Sequence, residues 1–156
     1  MAAARGAGGR VIVNDRADLA RLADADGVHV GQTDLPVAAA RDIVGPGRIV
    51  GVSTHDRDQI DEALAGAASY IAVGPIFQTT TKDTGYSPRG LELLRYAAGR
   101  GKPIVAIGGI TLERAPEAVA AGAGAVAVIT DLLVGGDPEA RVRAFLAALP
   151  AHPFKV

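Results

Sequence analysis

Three neighbouring hydroxyls and an ammonium, Thr79, Thr80, Thr81 and Lys82, follow the apolar run "YIAVGPI" that starts at Tyr70. Hydroxyls and backbone N–H groups can surround phosphate oxygens, and a lysine adds a point charge, so "TTTK" is a candidate phosphate site. A solvated loop would use the same residue types. The length of this loop, directly after a buried strand, favours the functional reading. "AIGGI" (Ala106–Ile110) places two glycines at another strand end, with Thr111 ahead of the next helix. Backbone N–H groups there could cradle a phosphate, whereas a tight turn explains one glycine more readily than two. Asp15, beside Asn14, and Asp34, one unit later, each lie just past a strand end and could share a metal. Two carboxylates without cysteine or paired histidine suit Mg²⁺, which keeps several waters and takes further oxygens from a substrate phosphate. Both aspartates also precede helical segments, so a helix N-cap role stands open beside the metal role. Ser53 has only His55 as a nearby base, a weak basis for a Ser-His hydrolase. His29, inside an apolar strand, reads as a hydrogen-bonded core histidine, and His152 as part of a Pro-rich tail without a role.

The elements that must position these residues repeat along the whole chain. Six short runs rich in Val and Ile begin at Val11, Gly27, Ile49, Tyr70, Pro103 and Ala125. Most are near-continuously apolar, which predicts strands of a parallel sheet covered on both faces. Ala-rich amphipathic segments lie between them: Leu19–Ala23, Val37–Val44, Gln59–Leu64, Leu91–Ala98, Arg114–Ala121 and Glu139–Leu149. Pro36 suits a first helical turn and Gly45 a left-handed helix end. "GAGAVA" near Gly122 is no dinucleotide fingerprint, because the order is helix-turn-strand and a third glycine is lacking. Repeated βα units leave an open doubly wound sheet or a (β/α)8 barrel. Polar residues stand after every strand: "ND", "GQTD", "STHD", "TTTK", "GGIT" and "TD". That distribution predicts a ring of loops around one mouth, hence a barrel of the TIM type.

Composition narrows the function classes. The 156 residues suit one domain, 1–156, with residues 150–156 a tail. Sixteen Lys+Arg against 17 Asp+Glu give a net charge of -1, so there is no electrostatic footprint for nucleic acid or an anionic membrane. With no cysteine, disulfides and thiolate metal sites are excluded. The opening "MAAARGAGGR" is broken by Arg and Gly and reads as neither a signal peptide nor a membrane span, which predicts a cytoplasmic protein.

Taken together, "VIVNDRADLA", "ADGVHVGQTDLP", "IVGVSTH", "YIAVGPIFQTTTKD", "KPIVAIGGIT" and "GAVAVIT" resemble the thiamine-phosphate synthase family, in family order from about Val11 to Leu149. The resemblance implies a (β/α)8 barrel transferase that joins a hydroxymethylpyrimidine diphosphate to a thiazole phosphate, releasing thiamine phosphate and pyrophosphate. It assigns Asn14, Ser53 and Lys82 to the pyrimidine diphosphate, and Asp15 and Asp34 to Mg²⁺. Thr79, Thr80, Thr81, Gly109, Ile129 and Thr130 would bind the thiazole phosphate. Lys82 and Ser53 are the implied catalytic residues. If C–O cleavage precedes C–N bond formation, charge builds on the departing pyrophosphate, and no protein nucleophile is needed.

Gln78 stands where the family usually has proline, and Thr130 where serine is common. A (β/α)8 barrel typically takes roughly 250 residues, and the sequence carries about six βα units. The expectation is an incomplete barrel in which "VIVND" matches the family's third strand and residues 1–10 are the remnant of a helix and turn. The family's Q-Y-R-x-K clamp for the diphosphate is then absent from this sequence, and the outer strands are unpaired edges that a second copy or a partner chain would cover. Two alternatives accompany the transferase: a non-catalytic or partial fragment that binds thiazole phosphate, and a thiazole tautomerase on the same barrel. The tautomerase typically carries a histidine near the position of Ser53 and lacks T-x-T-K, so Ser53 and "TTTK" favour the synthase.

Overall fold

A computed structural model describes residues 2–81 and 85–150. After a short helix α1 (Ala2–Gly6), strands and helices alternate: β1 (Ile12–Asn14), α2 (Ala17–Leu22), β2 (Gly27–Val30), α3 (Val37–Val44), β3 (Ile49–Thr54), α4 (Arg57–Ala65) and β4 (Tyr70–Val73). The series continues with α5 (Leu91–Ala97), β5 (Ile104–Ala106), α6 (Ala115–Ala120) and β6 (Ala125–Val126). Two 3-10 turns within Thr130–Gly136 and a final helix α7 (Pro138–Ala148) follow. The six strands are parallel and lie in sequence order, β1 to β6, as a curled half-barrel. β1 and β6 are its outer strands.

The expected six units are all present, but β1, β4, β5 and β6 are shorter than their apolar runs and the sheet is not uniformly apolar. Side chains alternate. Val28 and Val30, Val50 and Val52, Ile71 and Val73, and Ile104 and Ala106 face the helices and are buried. The intervening His29, Ser53, Tyr70, Ala72 and Val105 line a cleft on the concave side. The helices meet the sheet through small residues three or four apart, such as Ala17 and Ala20, and Ala115 and Ala118, all fully buried. Alanine allows close approach, which is how a chain with 4% aromatic residues packs its interior.

Local chemistry sets several boundaries. Asp56 caps α4 by accepting from Gln59 N at 2.9 Å, while Gln59 Oε1 accepts from His55 N at 2.7 Å. Asp137 caps α7 through Ala140 N at 3.0 Å, with Pro138 in the first turn. Gly45 ends α3 at a positive φ of 90°, as expected; Pro36 sits one residue earlier than a first-turn proline, at the N-cap. Asp26 Oδ2 accepts from Val11 N at 2.7 Å and so ties the start of β1 to β2. Among the described residues no helix is long and apolar enough to cross a membrane. Leu22 on α2 is 81% exposed, and Ile129 and Leu133 after β6 are 68% and 66% exposed.

Candidate functional site

All candidate residues within the described chain belong to the C-terminal ends of the strands or the loops that follow them. A cleft of about 1080 Å³ opens there. Its lining includes Asn14, Asp34, Ser53, Thr79, Thr80, Thr81, Gly109, Ile129 and Thr130, so nine sequence-derived candidates meet around one cavity. Asp15 stands beside them at the end of β1, half-buried and outside the lining. Lys82 lies outside the described residues, as does His152.

The two phosphate-site candidates converge. Thr81 Oγ1 and Thr130 Oγ1 are 2.6 Å apart, joining the loop after β4 to the segment after β6. Thr81 N also donates to Thr79 Oγ1 at 3.2 Å. Between these loops run Gly108 and Gly109, with φ of 85° and 65°. A Cβ on Gly109 would come within 2.4 Å of the Gln78 carbonyl oxygen, and one on Gly108 within 2.5 Å of Pro75. Positive φ and this close approach account for both glycines, where a simple turn had seemed to need only one. The packing that demands them also presses the β5 loop against the threonine loop. Arg114 lines the same end of the cleft, its guanidinium 5.1 Å from the Phe77 ring centroid and donating to Gly109 O at 3.2 Å. Asp131 is held by Arg141 Nη2 at 2.7 Å and by Leu112 N at 3.0 Å, which fixes the segment after β6 against the β5 loop.

At the other end of the cleft stand the carboxylates and a polar row across three strands. Neither aspartate is a helix N-cap: Arg16 and Pro36 occupy those positions. Asp15 has a φ of 64°, a left-handed conformation that aspartate tolerates, and its N–H donates to His29 O at 2.8 Å. Asp34 Oδ2 accepts from Gly31 N at 2.7 Å, which holds the carboxylate at the rim. Asp15 and Asp34 stand at adjacent strand ends, and their carboxylates are oxygen donors of the type Mg²⁺ takes when a substrate supplies further oxygens. Among the described residues no group of three or more His, Cys, Asp or Glu side chains could hold a metal alone.

The partner of Ser53 is a histidine on the neighbouring strand, not His55, the weak candidate that the sequence offered. Its Oγ lies 2.8 Å from His29 Nε2, and His29 Nδ1 lies 2.8 Å from the Tyr70 hydroxyl. His29 is half-buried at the cleft wall rather than enclosed in the core. His55 is buried, with Nδ1 2.5 Å from Gly74 O and its ring stacked 4.0 Å from Tyr86. The Ser53 carbonyl accepts from Gln32 Nε2 at 2.7 Å. Burial pushes the Tyr70 phenol up to about 12. His29, Tyr70, Gln32 and Arg114 had drawn no functional role from the sequence; the available signal was the strand parity that puts His29 and Tyr70 on the face of Ser53.

The convergence of these loops coincides with a family match. A family model described as thiamine monophosphate synthase matches residues 1–132. The chain belongs to that family. It is 46% identical over 146 residues to a thiamine-phosphate synthase of Chlorobium luteolum, covering 93% of this chain and 69% of that one. With a thiamine-phosphate synthase of Mycobacterium marinum it shares 50% identity over 129 residues, 81% of this chain and 58% of the relative. Among solved structures, a thiamine phosphate pyrophosphorylase from Pyrococcus furiosus superposes with a TM-score of 0.81 at 31% identity, over 94% of this chain and 72% of that one. The chain thus spans roughly three-fifths to seven-tenths of the length of these relatives.

Proposed function

We propose that the protein is a transferase of thiamine phosphate synthesis, joining a hydroxymethylpyrimidine diphosphate to a thiazole phosphate with release of pyrophosphate. The observation that carries this reading is the meeting of Thr81 with Thr130 beside Gly109, opposite Asn14, Ser53 and Asp34 across one cleft. Two phosphorylated ligands need two polar ends, and the cleft has two.

In this reading Thr79, Thr80, Thr81, Gly109 and Thr130 hold the thiazole phosphate with hydroxyl and backbone donors. Ile129 supplies the apolar contact. Asn14 and Ser53 orient the pyrimidine diphosphate, and Lys82 would supply positive charge to its leaving pyrophosphate. Asp15 and Asp34 would hold Mg²⁺, which when bound neutralises charge on the diphosphate oxygens. The protein's own work is to align the thiazole nitrogen with the pyrimidine methylene carbon as the C–O bond breaks and the C–N bond forms. No protein nucleophile takes part. The outer strands β1 and β6 are places where a second copy or another chain would add on, and the site of action is the cytoplasm.

The test is to incubate the purified chain with both substrates and Mg²⁺ and to follow thiamine phosphate and pyrophosphate. Equimolar formation of both supports the transferase. Binding of thiazole phosphate with no product and no diphosphate binding would instead assign the chain a partial, non-catalytic role.

A further inference from the structure

Strands β2, β3 and β4 are aligned so that His29, Gly51 and Tyr70 occupy one row of the sheet. Gly51 has no side chain to fill the centre of that row. The Tyr70 ring lies in the space: a Cβ at position 51 would fall 2.1 Å from Tyr70 Cζ and 2.4 Å from its hydroxyl oxygen. The ring thereby crosses β3, reaches His29 Nδ1 at 2.8 Å and stacks on the imidazole at a centroid distance of 5.6 Å. The other imidazole nitrogen is delivered to Ser53 Oγ, two residues further along β3 toward the mouth.

We propose that Tyr70 and His29 are positioning residues that fix the polarity of the Ser53 hydroxyl toward the pyrimidine substrate. This rests on the reading that Ser53 faces that substrate. The Tyr70 O–H donates to Nδ1, which leaves the imidazole neutral with its proton on Nε2. Nε2–H then donates to Ser53 Oγ, and the serine's own proton is turned into the cleft, where it meets a ligand acceptor such as a pyrimidine ring nitrogen. Burial keeps the phenol protonated, so it stays a donor through the neutral range. The Gln32 amide on the Ser53 carbonyl holds the backbone while the imidazole holds the side chain. Ser53 therefore presents one donor in one direction, in place of a rotor that must be ordered when the substrate arrives.

The experiment separates this proposal from the functional reading beneath it. Nitrogen-detected NMR of the full chain, with His29 assigned through His29→Gln, is expected to find the His29 proton on Nε2. In Tyr70→Phe the tautomers are expected to mix, since the donor to Nδ1 is gone. Calorimetry with hydroxymethylpyrimidine diphosphate and Mg²⁺ is then expected to show about a tenfold weakening for Tyr70→Phe and for Ser53→Ala, with the double variant no weaker than Ser53→Ala alone. A proton on Nδ1 in the parent chain, or an unchanged tautomer in Tyr70→Phe, overturns the proposal. Additive losses in the double variant also overturn it. If the parent chain binds no pyrimidine diphosphate, the functional reading fails, and the tautomer measurement still decides the orientation of the row.

Discussion

Thr81 and Thr130 share a hydroxyl–hydroxyl contact of 2.6 Å although 49 residues separate them. The contact brings the loop after β4 and the segment after β6 to one end of the cleft, with Gly109 between them. One of the two hydroxyls spends its proton on this contact, and the other keeps its proton for a phosphate oxygen.

Removing either hydroxyl should weaken the phosphate end alone. Thr81→Ala and Thr130→Ala are each expected to lower affinity for thiazole phosphate by about tenfold, the worth of roughly one hydrogen bond to a charged group. Thr130→Ser keeps the hydroxyl and should bind as the parent does. Calorimetric titration with thiazole phosphate checks all three, and equal binding by Thr130→Ala would sink the assignment.

Gly109→Ala is expected to act on folding as well as on binding. The added methyl must sit 2.4 Å from Gln78 O in a residue whose φ is 65°. A left-handed non-glycine residue and the forced shift of a neighbouring carbonyl together should cost about 1–3 kcal/mol. Urea unfolding reads that loss, and an unchanged midpoint would mean the two loops do not press on each other.

Ile71 tests the helix side of the sheet. It is fully buried in β4 beside Val52 and Ile104 on the neighbouring strands. Ile71→Ala should lower stability by about 2–5 kcal/mol in urea, without changing the polarity of the cleft.

Acid should loosen the first units. Asp18 is held down to about 2 by its hydrogen bond from Arg16. Asp24 is lowered chiefly by Arg48 and then Arg5, and Asp26 chiefly by the Val11 N–H. A carboxylate depressed in the folded state contributes fully above its unfolded value, about 4, and loses that contribution as pH falls through the folded value. Stability should therefore decline from about pH 4 toward about pH 2, and raised salt should flatten the part carried by Asp18 and Asp24, which are exposed. Asp26→Asn should flatten it further. Urea midpoints across that range measure both effects.

Much of this architecture was legible in the residues, and the reasons for the exceptions are physical. The six apolar runs gave the strands because a parallel strand needs a buried side facing the helices, and Val28, Val50, Ile71 and Ile104 supply it. The opposite side was misread as equally apolar, since His29, Gly51 and Ser53 look like isolated interruptions until the register aligns them. The loops at the mouth announced themselves through Thr79, Thr81 and Asp34, whose types have chemistry of their own. Tyr70 did not, because an aromatic residue at a strand start usually packs in a core. The partner of Ser53 was not legible either: the sequence offered only His55, two residues on, and that only as a weak base. His29 on the neighbouring strand is the closer group.

The crossing of Tyr70 over Gly51 ties two positions into one unit of inheritance. A side chain can enter position 51 only if the ring at position 70 has left, and a ring can enter position 70 only while position 51 is bare. Lineages descending from this fold should therefore change the two together or not at all, and a lineage that has lost the pair must orient its serine by other means.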